Sequence, residues 1–245
     1  MDRDALAREV AAHPGWYHRI ELAPGLVTPG THDSPAGLAR LDALGLPRSC
    51  RGLRALDVGC RDGFYAFELE RRGAEVVGLD YADPEVTGFS IAARALGSRV
   101  RFVVCNVYDL DPAEHGHFDL VLFLGVLYHL RNPMLALDRI RDVLPAGGAL
   151  FVETQLTTRP DAARSKAPLW ELLPGDSLHG DRTNKWAPNA AGLRAAVEEC
   201  LFRVKRSTAE GERAYLRAVA VEDRQLAFYR ALDSAKGWWG RRPAP

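Results

Sequence analysis

The chain has 245 residues, 47% hydrophobic and 26% charged, with 32 basic against 32 acidic side chains. That length suits one large domain or two small ones, and the even charge argues against broad nucleic-acid binding through phosphates, which needs a basic surface. No apolar run is long enough to span a bilayer, Met1-Asp2-Arg3-Asp4 leads into no secretory signal, and Cys50, Cys60, Cys105 and Cys200 form no C-x-x-C pair that would hold a metal, so a cytoplasmic protein with reduced thiols is expected.

In chain order, residues 4–12 have helical composition and stop at His13-Pro14-Gly15. Residues 16–22 are aromatic and β-prone, and 23–30, with Pro24, Gly25, Pro29 and Gly30, read as a loop. Ser34-Pro35 is an N-cap followed by proline at the first helical position, and its helix runs to about Leu44. A regular alternation follows: strand 54–58, helix 64–72, strand 75–79, helix 87–96, strand 100–104, strand 119–124, helix 133–144 and strand 149–153. The strands are continuous apolar runs, as in a parallel sheet covered on both faces. Residues 154–188 break the rhythm with Pro160, Pro168, Pro174-Gly175 and Gly180 and read as an inserted loop or lid. Helix 189–200, strands 202–207 and 215–221 and a last helix 223–235 complete the chain.

The expected fold is therefore a Rossmann-like open α/β sheet, mainly parallel and seven-stranded, with helices on both faces. Residues 1–50 form a substrate-side extension or lid, 51–221 the ligand-binding domain, and 222–245 a C-terminal helix and tail. Such sheets bind ligands beyond the carboxyl ends of their strands.

The turn after the first long strand is Asp57-Val58-Gly59-Cys60-Arg61-Asp62-Gly63. It is not a dinucleotide fingerprint, because Arg61 stands where the second glycine would be. Asp57 and Asp62 make it a poor phosphate site and suit a ligand with ammonium and sulfonium charges, as in S-adenosylmethionine (SAM). Asp80, at the end of the next strand, is placed to accept from ribose hydroxyls, and Tyr81 to pack on an adenine face. Asn106 and the Val107 N–H are placed to read the adenine edge. Leu124-Gly125-Val126-Leu127-Tyr128-His129 ends the fourth strand beneath the methionine and methyl group.

These segments, with Gly148-Ala-Leu-Phe-Val-Glu-Thr154, resemble class I SAM-dependent methyltransferases. The likeness is greatest to the family of the tRNA wobble-uridine carboxymethyltransferases, and it extends through Gly180-Asp181-Arg182, Asn184-Lys-Trp-Ala-Pro-Asn189 and Arg217-Ala-Val-Ala-Val221. The resemblance implies that Tyr128 and Arg217 occupy positions that, in the tRNA enzyme, grip the extra carboxylate of carboxy-SAM. A third gripping position, a lysine there, falls at Tyr17, which favours plain SAM.

Methyl transfer needs alignment, a dry pocket and, for a neutral acceptor, somewhere to send a proton. His129, Glu153 and His32 are candidates for that proton. Tyr17, His18, Asn184, Trp186 and Arg217 are candidates for binding the acceptor. The expected function is methyl transfer from SAM, without a metal, to a small-molecule acceptor such as a specialised metabolite. The alternatives are tRNA wobble-uridine modification, with ten Lys/Arg against five Asp/Glu from Leu201 onward, and a non-catalytic SAM-binding protein.

Overall fold

The computed structural model describes residues 2–32 and 34–222; the helix expected over 223–235 and the Trp238-Trp239 pair lie outside them. Among the described residues the helices are α1 (Arg3–Ala12), α2 (Ser34–Leu44), α3 (Phe64–Arg71), α4 (Pro84–Thr87), α5 (Phe89–Leu96), α6 (Pro112–His115), α7 (Pro133–Val143), α8 (Pro160–Arg164) and α9 (Ala190–Glu199). The strands are β1 (Glu21–Ala23), β2 (Leu26–Val27), β3 (Arg54–Val58), β4 (Glu75–Asp80), β5 (Arg101–Val104), β6 (Leu120–Leu124), β7 (Ala149–Gln155), β8 (Trp170–Leu172), β9 (Trp186–Pro188), β10 (Phe202–Glu210) and β11 (Arg213–Ala220).

Seven strands form one sheet in the order β10-β11-β7-β6-β3-β4-β5. From β7 to β5 the neighbours are parallel; β11 and β10 are antiparallel. Chain direction across the sheet reverses at β3, where β4 and β5 go one way and β6 and β7 the other. A crevice therefore opens beyond the carboxyl ends of β3 and β6. Register sets the residues along that edge: Val58 pairs with Leu79 and Phe123, Leu124 with Glu153, Glu153 with Tyr215, and Gln155 with Arg213.

Both faces of the sheet are covered, which is why its strands are apolar throughout. On one face α7 and α9 bury Leu137, Ile140, Val143, Leu193 and Val197 against Val121, Phe123 and Leu216. On the other, Leu6, Val10, Trp16, Leu41 and Leu44 join Leu69, Phe89, Leu122 and Phe151 in a single cluster. The first 50 residues thus share their core with the sheet. Each of these fully buried Leu or Phe side chains contributes about 1.5–3 kcal/mol.

Two expected elements differ. The helix expected over 87–96 begins at Phe89 as α5, and Gly88, whose φ is 86°, separates it from the short helix α4. The Trp16 ring and His13 Nε2 lie 2.9 and 3.0 Å from where a Cβ would stand at Gly88, so docking of the N-terminal segment requires the break. Residues 154–188 are more ordered than a plain loop. They hold α8 and the antiparallel pair β8–β9, and Asn189 pins them. Its Oδ1 accepts from Gly192 N (2.7 Å) and Leu169 N (3.1 Å), while its Nδ2 donates to the carbonyls of Ala162, Ser165 and Ala167.

Candidate cofactor and acceptor site

The turn after β3 is made by backbone conformations that side chains resist. Gly59 and Gly63 have φ of 74° and 93°, and Arg61 also lies at positive φ, 51°. A Cβ at Gly59 would collide with Val126 Cγ2, so the turn approaches the end of β6 as closely as a glycine permits. Asp80 holds the turn from β4: its Oδ2 accepts from Arg61 N (3.0 Å) and its Oδ1 from Ala82 N (2.9 Å).

Asp57 lies buried beneath this turn, and its Oδ2 has no hydrogen-bond partner within the protein. Burial first, then the neighbouring Asp80 and Asp62 charges, push its pKa to about 7, against one opposing backbone N–H from Ala66. An orphaned, proton-holding acid beside a second acid is an environment that a cationic ligand relieves. The residues present therefore fit the ammonium and sulfonium groups of SAM. Asp80 ends β4 at this edge, and Asn106 caps the 3-10 turn Val107–Asp109 at the end of β5. Tyr81, 80% exposed, borders a hollow with Val104, Cys105 and Asn106.

Two residues expected to face the cofactor do other work. Cys60 buries its side chain in the sheet, with Sγ 2.9 Å from where a Cβ would stand at Gly78; only its backbone reaches the turn. Asp62 is fully buried, and its carboxylate is spent on the N-terminal segment. Oδ2 accepts from Tyr17 N and His18 N, both at 2.8 Å, and Oδ1 pairs with His18 Nδ1. The turn is thereby tied to residues 17 and 18.

That tie forms one wall of a cavity of about 40 Å³ against the ends of β6 and β7. Tyr17, His18, His32, Gly37 and Leu41 line it from the N-terminal segment, Leu124, Gly125 and Glu153 from the sheet, and Tyr65, Arg213 and Tyr215 complete it. His18 and His32 form an isolated bridge between extended segments. Thr28 secures this stretch, its Oγ1 donating to His18 O (2.6 Å) and accepting from Ile20 N (2.8 Å). The candidates Tyr17, His18, His32 and Glu153 thus share one cavity, and Leu124 joins it to the crevice.

Arg213, absent from the sequence reading, is the cation of this cavity. Its Nη2 donates to Glu153 Oε2 (2.8 Å) and to the Tyr128 hydroxyl (3.4 Å), and its Nε also pairs with Glu153. Burial works against the guanidinium charge, and Glu153 more than offsets it, so the Arg213 pKa stands raised. Glu153 is consequently an ion-pair partner rather than a spare base. Arg217 lies four residues along β11, opposite Phe151, with Nη1 against Gly45 at the end of α2. The β11 register corrects its placement in the acceptor site.

Three other candidates also fall away from the cavity lining. His129 follows Tyr128 in a 3-10 turn. Thr183 donates its hydroxyl hydrogen to Asp181 (2.7 Å), so His129 Nδ1–H donates to Thr183 Oγ1 (2.9 Å). Burial lowers the His129 pKa. Asn184 is buried inside the 154–188 segment, its Nδ2 on Leu178 O (3.1 Å). Trp186 donates to Arg131 O (3.2 Å) and faces a separate apolar groove with Trp170, Pro133 and Met134.

Residues 56–152 match the methyltransferase domain family. The tRNA U34 carboxymethyltransferase of Proteus mirabilis (strain HI4320) is 30% identical over 189 residues, 77% of this chain and 54% of that protein. The enzyme of the same name from Alcanivorax borkumensis is 33% identical over 156 residues, 63% of this chain and 46% of that protein. The chain therefore spans about half the length of these curated relatives. Among solved structures, the N-terminal domain of EvdMO1 with S-adenosylhomocysteine (SAH) bound superposes with a TM-score of 0.65 at 23% identity, covering 91% of this chain and 98% of that one. A Burkholderia thailandensis 1,6-didemethyltoxoflavin-N1-methyltransferase superposes with a TM-score of 0.57 at 21% identity, covering 77% of each chain. These last two likenesses establish the fold.

Proposed function

We propose, for a chain that carries a class I SAM-dependent methyltransferase domain, that it transfers the methyl group of SAM to a small-molecule acceptor held in the cavity between residues 17–37 and the end of β6. The observation that carries this reading is the cavity itself. It adjoins the cofactor crevice at Leu124-Gly125 and is walled by side chains of the N-terminal segment, of about 40 Å³ before any acceptor widens it.

The sulfonium supplies an activated methyl carbon when SAM is bound. The protein's part is to align and to dry. Asp80 holds the ribose side, Asn106 and Val107 the adenine side, and the orphaned Asp57 oxygen lies beneath the charged end. Plain SAM rather than a carboxylated donor is favoured by Glu153, which already answers the Arg213 charge beside Tyr128; an added carboxylate would meet Glu153 as a like charge. The toxoflavin N1-methyltransferase among the similar folds was crystallised with a small molecule, 1,6-didemethyltoxoflavin.

The test is saturable SAH binding by calorimetry, followed by tritium transfer from methyl-labelled SAM to a panel of 6-deoxy sugars, phenols and heterocyclic amines. Transfer to a panel member supports the proposal. A second reading, modification of tRNA at U34, is favoured by the tRNA U34 carboxymethyltransferases among the relatives. Salt-sensitive tRNA binding with transfer into tRNA, and none into the panel, would replace the first reading with it.

A further inference from the structure

The cavity holds four kinds of group that could handle a proton, and the structure ranks them. Tyr17 and Tyr215 are phenols whose pKa burial raises, and the same holds for Tyr65; they donate hydrogen bonds but do not take protons. Arg213 is a cation locked to Glu153 by two nitrogens, so neither member is free to receive a proton without breaking the pair. The imidazoles of His18 and His32 remain.

Of these, His18 is built as a dyad. Its Nδ1 pairs with Asp62 Oδ1, and both side chains are withdrawn from solvent, His18 being 5% exposed and Asp62 0%. Asp62 accepts two backbone N–H bonds at 2.8 Å on its other oxygen, so the carboxylate is fixed before any ligand arrives. An ionised carboxylate only accepts, and therefore Nδ1 carries the ring hydrogen and Nε2 carries the lone pair. Packing fixes the ring plane: it is stacked on Phe64 at 5.7 Å and edge-on to Tyr17, His32 and Tyr65 at 4.8–5.5 Å between centroids. The ring borders the cavity that adjoins Leu124-Gly125.

We infer that His18 is the general base of the acceptor site, oriented by Asp62 as its positioning residue, and that the acceptor is one that must lose a proton, a hydroxyl, phenol or ring N–H. The inference rests on the methyl-transfer reading above. In the step, the acceptor heteroatom forms its bond to the methyl carbon as the carbon–sulfur bond breaks and returns its electron pair to sulfur. The acceptor proton passes to His18 Nε2, and the adjoining Asp62 carboxylate balances the imidazolium charge that results. A buried carboxylate hydrogen-bonded to the ring makes that transfer favourable in a site with little water. Acceptors that are already anionic, such as carboxylates, gain nothing from the dyad.

The first measurement needs neither turnover nor a variant. Long-range proton–nitrogen spectra of histidine-labelled wild-type protein, saturated with SAH near neutral pH, are expected to show His18 with its hydrogen on Nδ1 and Nε2 bare, and Asp62→Asn to abolish that preference. A hydrogen on Nε2 of His18 in the wild type would overturn the assignment. With an acceptor found in the tritium panel, His18→Gln is expected to lose at least about 100-fold in kcat while SAH affinity stays within about twofold, and His18→Asn serves if the first variant folds poorly. Undiminished kcat in a variant that binds SAH normally would also overturn it. Failure of the wild type to bind SAH would instead sink the methyl-transfer reading beneath it.

Discussion

Replacing Asp57 by asparagine isolates the acid that the fold perturbs most in the cofactor crevice. In the wild type it titrates at about 7 instead of 3.8, because it is buried and has Asp80 and Asp62 for neighbours. The folded state therefore holds this proton more tightly than the unfolded chain does. Its contribution to stability is complete below about pH 4 and is lost as pH rises through about 7. A gap of about three pH units, at about 1.4 kcal/mol each, sets an upper limit of about 4 kcal/mol. Asparagine cannot ionise, so Asp57→Asn should lack this component. The assay is denaturant unfolding of the ligand-free protein across that pH range, taken as wild type minus variant so that other titrating groups cancel. The difference should fall by about 3–4 kcal/mol from acid to mildly alkaline pH. Two curves that stay parallel would refute the account of the crevice as acid-crowded. Binding of SAH, whose ammonium favours the ionised acid, should release a proton in the wild type and not in the variant, read as a buffer-dependent binding enthalpy.

Asp80→Ala should weaken SAH binding about 100-fold, the worth of two hydrogen bonds to a charged acceptor; unaltered affinity by calorimetry would remove Asp80 from the cofactor site. Arg213→Met leaves the nearly buried Glu153 without its cation and should cost about 2–3 kcal/mol of stability, with at least half regained in Arg213→Met/Glu153→Gln; additive losses in that double-mutant cycle would deny the pair any coupling. Gly59→Ala meets both a φ of 74° and Val126 Cγ2 and should cost about 2 kcal/mol, part of it recovered by Val126→Ala, as read from melting temperatures. Asn189→Ala removes five hydrogen bonds, and amide exchange across 162–172 should accelerate while that of β6 does not; uniform acceleration would show the segment to be integral to the core.

The sheet was legible because its physics is local. Continuous apolar strands, helix stops at glycine and a right-handed crossover rule leave little freedom, and six of the seven expected strands start within one residue of the observed ones. The edge proposed for the cofactor was placed for the same reason, since Asp57, Gly59, Asp80 and Asn106 sit at strand ends that the pattern marks. The acceptor side depends on pairing across the sheet. Arg-Ala occurs twice in β11, at Arg213 and Arg217, four residues apart and so on the same face. The resemblance points to Arg217, and only the register with Gln155 and Phe151 shows that Arg213 stands at the carboxyl end of β7. Asp62 was misread because its partners are 44 and 45 positions away in the chain. A signal for Tyr65 was present: Gly37 interrupts an otherwise ordinary helix, and a Cβ there would strike the Tyr65 hydroxyl.

The bonds from residues 17 and 18 to Asp62 bear on how such a protein changes its trade. Tyr17, His18, His32 and Gly37 belong to one short uninterrupted stretch, whereas the donor half is distributed over β3, β4, β5 and β6. Selection can rewrite the stretch by local insertion or recombination and alter what is recognised, leaving the donor half intact. The carboxylate at the junction is then a coupling standard, a fitting that any replacement stretch has to match.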